Sequence, residues 1–317
     1  MNDALASEED IRFAYRLLLG RRPDPDGLTT WRSLLRQRPM RPHELAECFL
    51  GSNEFRSRYE SRLDEVELDG FVVLVRSDDT DIGRALAHAG AWEPNVTAVL
   101  RQRLGSGAAF LDVGANIGYF SALAAHLVGG GRVVAVEPMD KNLQLIYATI
   151  ARNGFAQVEV HPFAAGDTSA IVCMGTQAGS SNGQIEREWK GAGQPLYAQT
   201  RRLDDLLGSG QGFDMVKFDI EGYELHAWRG FERGLARDRP LVLTEFHPRC
   251  MRENALVDPH EYAAVLIDYG NITVLHADGR RSACDTVESL MRAWQREDAD
   301  LRGEGAAHLD LLVEPRA

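Results

Sequence analysis

Residues Phe110–Phe120 read "FLDVGANIGYF", and this stretch decides how the rest of the chain is organised. An apolar run stops at Asp112. Gly114 and Gly118 follow, four apart, with Asn116 between them, and a helical pattern then begins. Glycine at these two positions removes Cβ atoms where backbone must approach a ligand closely. In open α/β sheets ligands bind outside the carboxyl ends of the strands, which is where this turn falls.

The flanking sequence keeps the same rhythm. "AFLDVG", "GRVVAVEP", "VEVHPFAAG", "FDMVKFDIEG", "PLVLTEFHP", "ITVLHA" and "HLDLLVEP" read as seven strands. Helical patterns lie between most of them: "GYFSALAAHLV", "DKNLQLIYATIARNG", "YELHAWRGFERGLA", a stretch near 259–269 and "TVESLMRAWQ". Alternating strands and helices predict an α/β fold with a mainly parallel, doubly wound sheet. Near-continuous Val, Leu and Ile in the strands agree, because both faces of such a sheet are covered. Residues 176–202 break the rhythm with Gly, Ser and Gln and are expected to form a loop or hairpin over the ligand edge. Upstream, "GFVVLVR" (70–76) reads as a strand, with helix near 82–104. Residues 9–60 carry only helical patterns, so a helical module (1–65) precedes the α/β domain (66–317), with no Gly/Ser linker between them.

The chain of 317 residues carries a net charge of −12, which argues against nucleic acid as a partner even though residues 12–41 are locally basic. No apolar run approaches the length of a membrane span, and the acidic "MNDALASEED" start lacks the order of a signal peptide. Cys48, Cys173, Cys250 and Cys284 have no paired spacing. That fits a reducing, cytoplasmic setting better than a disulfide framework.

Glu137 ends the strand after the glycine turn, twenty-three residues beyond Gly114. An acid there accepts hydrogen bonds from two ribose hydroxyls. A nicotinamide dinucleotide would want G-x-G-x-x-G, with its pyrophosphate on the helix N-terminus. The chain instead has D-x-G-x-N-x-G. S-adenosylmethionine has no phosphate. Its ammonium needs an acceptor, which Asp112 supplies, and its carboxylate needs donors, which the backbone at 114–118 supplies. A tight turn that binds nothing is the bland alternative.

"DMVKFDIEGYE" is the second signal. On a strand, Val216, Phe218 and Ile220 share one face, and Lys217, Asp219 and Glu221 the other. A polar face on an interior strand is costly unless paired or wet. "LVLTEFHP" ends likewise, with Glu245 and His247 two apart. If the strands are neighbours, Asp219, Glu221, Glu245 and His247 converge. They would then supply a general base for an acceptor hydroxyl, with Asp219 or Glu245 first and His247 second. Alternatively Asp219, Glu245 and His247 would hold a divalent cation such as magnesium. A buried ion-pair network without chemistry is the third reading.

Taken in order, "WEP" (92–94), "FLDVGANIGYFS" (110–121), "VVAVEP" (133–138), "AAGD" (164–167), "RLDDLL" (202–207), "MVKFDIEGYE" (215–224) and "PLVLTEFHP" (240–248) resemble the FkbM family of S-adenosylmethionine-dependent methyltransferases. The resemblance implies the seven-stranded, Rossmann-like class I methyltransferase fold. It also implies O-methylation of a hydroxyl on a sugar, glycan or secondary metabolite. Glu93, Asp112, Gly114, Asn116, Gly118, Glu137 and Asp167 match its cofactor-binding positions, and Lys217, Asp219 and Glu221 its acceptor-side K-x-D-x-E-G signature. Phe218 and Tyr223 are larger than is usual there and are expected to shape the pocket. "YRLLLGRRPDPDGLTTW" with "FLGSNEFRSRY" resembles a small bacterial helical module of unknown function found with surface-layer and glycan-related proteins. It tilts the expected acceptor toward a glycan, while a stabilising or dimerising cap is the plain alternative. The rival functions are a cofactor- or glycan-binding module without catalysis and a nicotinamide-dependent oxidoreductase.

Overall fold

Strand β3 (Ala109–Val113) is buried along its whole length and lies inside an eight-stranded sheet. The computed structural model describes residues 5–55, 63–77, 79, 81–176, 183–186, 196–207, 212–301 and 303–316. The seven strands expected from sequence are all in this sheet. They are β3, β4 (Arg132–Val136), β5 (Val158–His161), β10 (Met215–Phe218), β11 (Leu241–Phe246), β12 (Gly270–Leu275) and β14 (Leu309–Pro315). The short β13 (Arg281–Cys284), which carries only one buried residue, adds an edge.

The spatial order is β13-β12-β14-β11-β10-β3-β4-β5. Strands β11, β10, β3, β4 and β5 pair in parallel, while β14 is antiparallel to both β11 and β12. Counted along the chain, the seven run 3-2-1-4-5-7-6 with the last reversed, which is the class I methyltransferase fold. Alternation along each strand fills two cores. Leu111 and Val113 join the layer under helices α9 (Glu224–Arg229), α10 (Glu232–Asp238), α12 (Pro259–Tyr269) and α13 (Val287–Asp300). Phe110 faces α4 (Ile82–Ala89), α5 (Pro94–Arg103) and α6 (Tyr119–Val128). Helix α7 (Asp140–Asn153) ends at Gly154, in the left-handed conformation.

Four local departures from the sequence reading matter to the site. The stretch near 82–104 is two helices, because Glu93 sits at φ +42 between them. "YELHAWRGFERGLA" is likewise two helices, broken at Gly230 and Phe231. Strand β2 (Phe71–Arg76) has an unforeseen antiparallel partner, β1 (Leu63–Leu68), and residue 65 falls inside it. No residue of β1 is buried and three of its six are exposed, so it lacks the apolar run that marks a strand. In the segment expected as a loop or hairpin, β8 (Gly183–Glu186) and β9 (Leu196–Arg201) join β7 (Ile171–Thr176), just before it, in an accessory sheet anchored by β6 (Ala164–Ala165). The rest of that segment, 177–182 and 187–195, lies outside the described residues.

The N-terminal module packs α1 (Glu8–Leu19), α2 (Pro25–Gln37) and α3 (Pro42–Leu50) around Ile11, Leu18, Leu45 and Phe49. Ser7 and Asp10 close a capping box on α1, satisfying amides that a helix start leaves open. Trp31 stacks on Phe49 at 4.2 Å between ring centres. The module rests on α7, whose Tyr147 joins its core. Among the described residues, no helix is long and apolar enough to cross a membrane.

Candidate active site

Sheet growth reverses at β3 and β10, since β4 and β5 continue on one side and β11 on the other. The turns after these two strands meet. Asp219 N donates to Val113 O at 3.0 Å. Gly114 lies at φ +86, and a Cβ there would stand 1.8 Å from Asp219 O. Gly118, at φ +87, would place a Cβ 2.9 Å from Ile146 of α7. Protein neighbours thus exclude a side chain at both glycines. Contact with protein neighbours demands them, and only Gly114 also borders the cavity beside it.

That cavity, about 590 Å³, opens at the carboxyl ends of β3, β4, β10 and β11, with Met174, Gly183 and Ile185 of the accessory sheet against it. Its two ends differ. At one, Glu137 accepts from the Asn116 amide (2.9 Å), the Met139 amide (2.9 Å) and Asn142 Nδ2 (3.3 Å). A carboxylate has about four acceptor sites, and protein donors take three of them. Burial pushes its pKa up to about 7. Phe163, Ala164, Ala165 and Tyr223 supply apolar surface to the cavity.

At the other end are Lys217, Asp219, Glu221, Glu245 and His247, together as expected. Parallel pairing of β10 with β11 brings them there. The strand stops at Phe218, however, so Glu221 gets there through a turn at φ +55 and not by strand alternation. Lys217 Nζ donates to Asp219 Oδ2 at 2.5 Å and lies 4.6 Å from the centre of the Phe120 ring. Burial alone would strip its proton, but the carboxylates of Asp219, Glu93 and Asp112 outweigh this and hold the ammonium above its ordinary range. Burial, reinforced by the charge on Asp219, raises Glu221 to about 7. Glu245 goes well above the carboxylate range through burial and its neighbours Asp219 and Glu221. His247 is lowered to about 4 by burial and by His308. Its Nδ1 accepts from the Cys250 amide at 3.4 Å, so its neutral ring carries the hydrogen on Nε2.

Glu93 also borders the cavity, and burial lifts it to about 8. Its Oε2 is sealed from solvent with no hydrogen-bond partner among the described residues. Besides Gly118, two expected cofactor positions stand back from the wall. Asp112 lies in register beside Lys217, accepts from Ser121 Oγ at 2.6 Å, and is buried as a counter-charge. Asp167 pairs with His226 at 2.9 Å, and His226 stacks on Tyr223 at 4.3 Å. Tyr223 does shape the cavity, whereas Phe218 is buried in the core beside Trp228. Asp219, Glu245 and His247 share the cavity, but among the described residues no three His, Cys, Asp or Glu side chains are gathered to hold a metal ion.

Sequence reasoning missed Asp81, His308 and Asp310. Asp81 and His308 line the cavity, and Asp310 sits directly opposite Glu245 across β11 and β14. "HLD" at 308–310 carries a strand-like alternation of polar residues, but it looks like an edge strand until the antiparallel pairing is known. None of the described residues of the helical module lines the cavity.

A domain of unknown function, DUF4214, matches residues 2–59. No curated protein matches the chain. Among solved structures, a methyltransferase FkbM from Methylobacillus flagellatus KT is 21% identical, covering 65% of this chain and 59% of that one, with a TM-score of 0.39. This chain thus spans less than two thirds of that protein's length. An O-methyltransferase from Bacillus cereus in complex with SAH is 17% identical, covering 76% and 92%, with a TM-score of 0.39. A Pyrococcus abyssi tRNA (uracil-54, C5)-methyltransferase is 15% identical, covering 80% and 44%, with a TM-score of 0.39. The profile of the methyltransferase FkbM domain matches residues 112–272, from the glycine turn through the strand after the second acidic pair. That span holds the glycine turn and the ends of β4, β10 and β11 that line the cavity, while Asp81, Trp92, Glu93 and His308 lie outside it, and the chain belongs to the FkbM methyltransferase family.

Proposed function

We propose that the protein is an S-adenosylmethionine-dependent methyltransferase that methylates a hydroxyl of a small molecule, sugar or glycan. The observation that carries this is the charge of the cavity. Acidic side chains of Asp81, Glu93, Glu137, Asp219, Glu221 and Glu245 border it, and among the described residues Lys217 is its one Lys or Arg. That lysine is already paired with Asp219. A pyrophosphate would meet like charge here, which disfavours a nicotinamide dinucleotide. S-adenosylmethionine, with a sulfonium and an ammonium against one carboxylate, is net positive and complements the wall.

The donor, when bound, supplies a methyl group already activated on sulfur. Glu137 would hold a ribose hydroxyl, and Glu93 Oε2 offers its free lone pairs to a cationic group. The acceptor hydroxyl must lose its proton as it attacks. Burial and its acidic neighbours shift Glu245 toward its protonated form, and His247 presents a hydrogen at Nε2, so neither is the base of choice. Asp219 is, with Lys217 fixing its orientation. Positioning then supplies much of the rate, since a near-attack arrangement can contribute roughly 7–11 kcal/mol.

Calorimetric titration with S-adenosylhomocysteine, alongside nicotinamide dinucleotides and with and without magnesium, tests the reading. Selective binding of S-adenosylhomocysteine is the expected outcome. A folded protein that binds the dinucleotide instead, or neither, would sink it.

A further inference from the structure

Resting on the methyl-donor reading, we infer that Glu224 is a positioning residue: one oxygen of its side chain sets the turn that carries Asp219, Ile220, Glu221 and Tyr223 to the cavity. Of residues 219–223, only Gly222 does not border the cavity. The chain leaves β10 at Phe218, and Asp219 N still reaches β3 at Val113 O. Beyond that point Glu224, the first residue of α9, takes over from the sheet. Its Oε1 accepts from Ile220 N at 2.9 Å and from Gly222 N at 3.1 Å. Between these two amides Glu221 sits at φ +55, which is uncommon for a residue with a side chain, and Gly222 follows at φ +99. Backbone of this kind persists where its surroundings over-determine it. Two amides converging on one oxygen do so here, and Asn254 Nδ2 holds the carbonyl of Glu221 as well, at 3.1 Å.

Glu224 is fully buried and does not border the cavity, so it acts through the turn and not on a ligand. A carboxyl in such a place is costly unless hydrogen bonds compensate it. Only Oε1 is engaged with the turn, while Oε2 has no hydrogen-bond partner among the described residues. Burial pushes the pKa of the group up to about 8. What the turn needs from position 224 is therefore an oxygen at the right reach, and the charge is secondary. The same turn also seats the glycine loop, because the Asp219 carbonyl is the atom against which Gly114 packs. A shift at 220–222 thus displaces Asp219 and Glu221 at one end of the cavity and loosens Gly114 beside it.

Two variants separate reach from charge. Glu224→Gln keeps an oxygen at the same reach and removes the charge. Glu224→Asp keeps the charge and shortens the side chain by a methylene. Leu235→Ala, in the core under α10 and away from the cavity, controls for lost stability alone. Each full-length variant is titrated with S-adenosylhomocysteine by calorimetry, and amide hydrogen exchange is followed at Ile220 and Gly222. Glu224→Gln should bind within about threefold of the natural chain, and Glu224→Asp at least about tenfold more weakly, as expected when amides lose their acceptor. Both amides should stay protected in Glu224→Gln and exchange faster in Glu224→Asp. Equal binding by Glu224→Asp and the natural chain would overturn the inference. So would weakening by Glu224→Gln or by Leu235→Ala as large as that of Glu224→Asp. If Glu224→Asp does not fold, Glu224→Gln decides: natural affinity with both amides protected upholds the inference, and loss of either overturns it. Failure of the natural chain to bind S-adenosylhomocysteine is a different result. It removes the methyl-donor reading and leaves amide exchange to judge Glu224 alone.

Discussion

Asp219 is where the turns after β3 and β10 meet, and it has two separable jobs. Its backbone carbonyl fixes Gly114, and its side chain faces the cavity beside Lys217. Asp219→Asn keeps the first job and removes the second. It should leave S-adenosylhomocysteine affinity within about threefold while lowering turnover by roughly 10²–10⁴, the usual contribution of a placed base. Calorimetry and a methyl-transfer assay read the two separately, and lost cofactor affinity would make Asp219 a binding residue. Gly114→Ala does the reverse. At φ +86 and against a carbonyl, an added Cβ should cost about 2–4 kcal/mol of stability, seen as a lower urea midpoint. Glu93 gives a pH effect. Its pKa rises from an ordinary 4.5 to about 8 on folding, so the folded state holds the proton more tightly than the unfolded chain. Its contribution therefore falls as pH climbs between those values. Glu93→Gln should flatten that slope and raise stability near pH 8 by roughly 1–3 kcal/mol. Unchanged slopes in urea titrations at several pH values would show that the buried acid is elsewhere. The residue types of the site were legible because carboxylates at strand ends are conspicuous in an apolar pattern. Which of them border the cavity was not, since Asp112 and Asp167 differ from Glu137 only in what stands next to them across the sheet or loop.

Elements explain the misreadings better than residues do. Periodicity found all seven strands, because burial on both faces leaves an apolar run in β3, β4, β10 and β11 and the short β5 keeps the rhythm between them. It missed β1, β8 and β13, whose partly exposed residues carry weak patterns. It also ran two pairs of helices together, because a change of direction at Glu93 or Gly230 leaves the apolar spacing on either side intact. The accessory sheet was legible only as an interruption. Its strand β8 reaches the acceptor side through one residue. Asn254, in the π-helical turn Met251–Ala255, donates to Glu221 O at 3.1 Å and to Gln184 Oε1 at 3.3 Å. It thus ties β8 to the turn that carries Glu221 at φ +55. π-turns are rare and often occur at functional sites. Asn254→Ala removes both bonds, each worth about 0.5–1.5 kcal/mol. The expected result is S-adenosylhomocysteine leaving about three- to tenfold faster, measured by stopped-flow or surface binding, with little change in melting temperature. An unchanged dissociation rate would show that β8 does not hold the bound ligand.

At the scale of the molecule, the helical module and the cavity meet the same helix from different sides. Module residues pack on α7 around Tyr147, while the α7 residue bordering the cavity is Asn142. The module has its own core and caps, and none of its described residues reaches the cavity. The module's helices were legible from its sequence, but its seat on α7 was not, because the apolar face it covers there looks like ordinary helix core. Deleting residues 1–55 separates the possible roles. The deletion uncovers Tyr147 and Leu63, so apolar area returns to water and stability falls. A loss of about 2 kcal/mol corresponds to a melting temperature roughly 4–8 °C lower for a domain of this size. Because no cavity contact is removed, S-adenosylhomocysteine affinity should stay within about threefold of the full chain. If affinity collapsed while circular dichroism still reported a folded domain, the module would be acting on the cavity through α7. If affinity and melting temperature were both unchanged, the interface with α7 would contribute nothing to stability, and the module's purpose would have to lie on its outer surface.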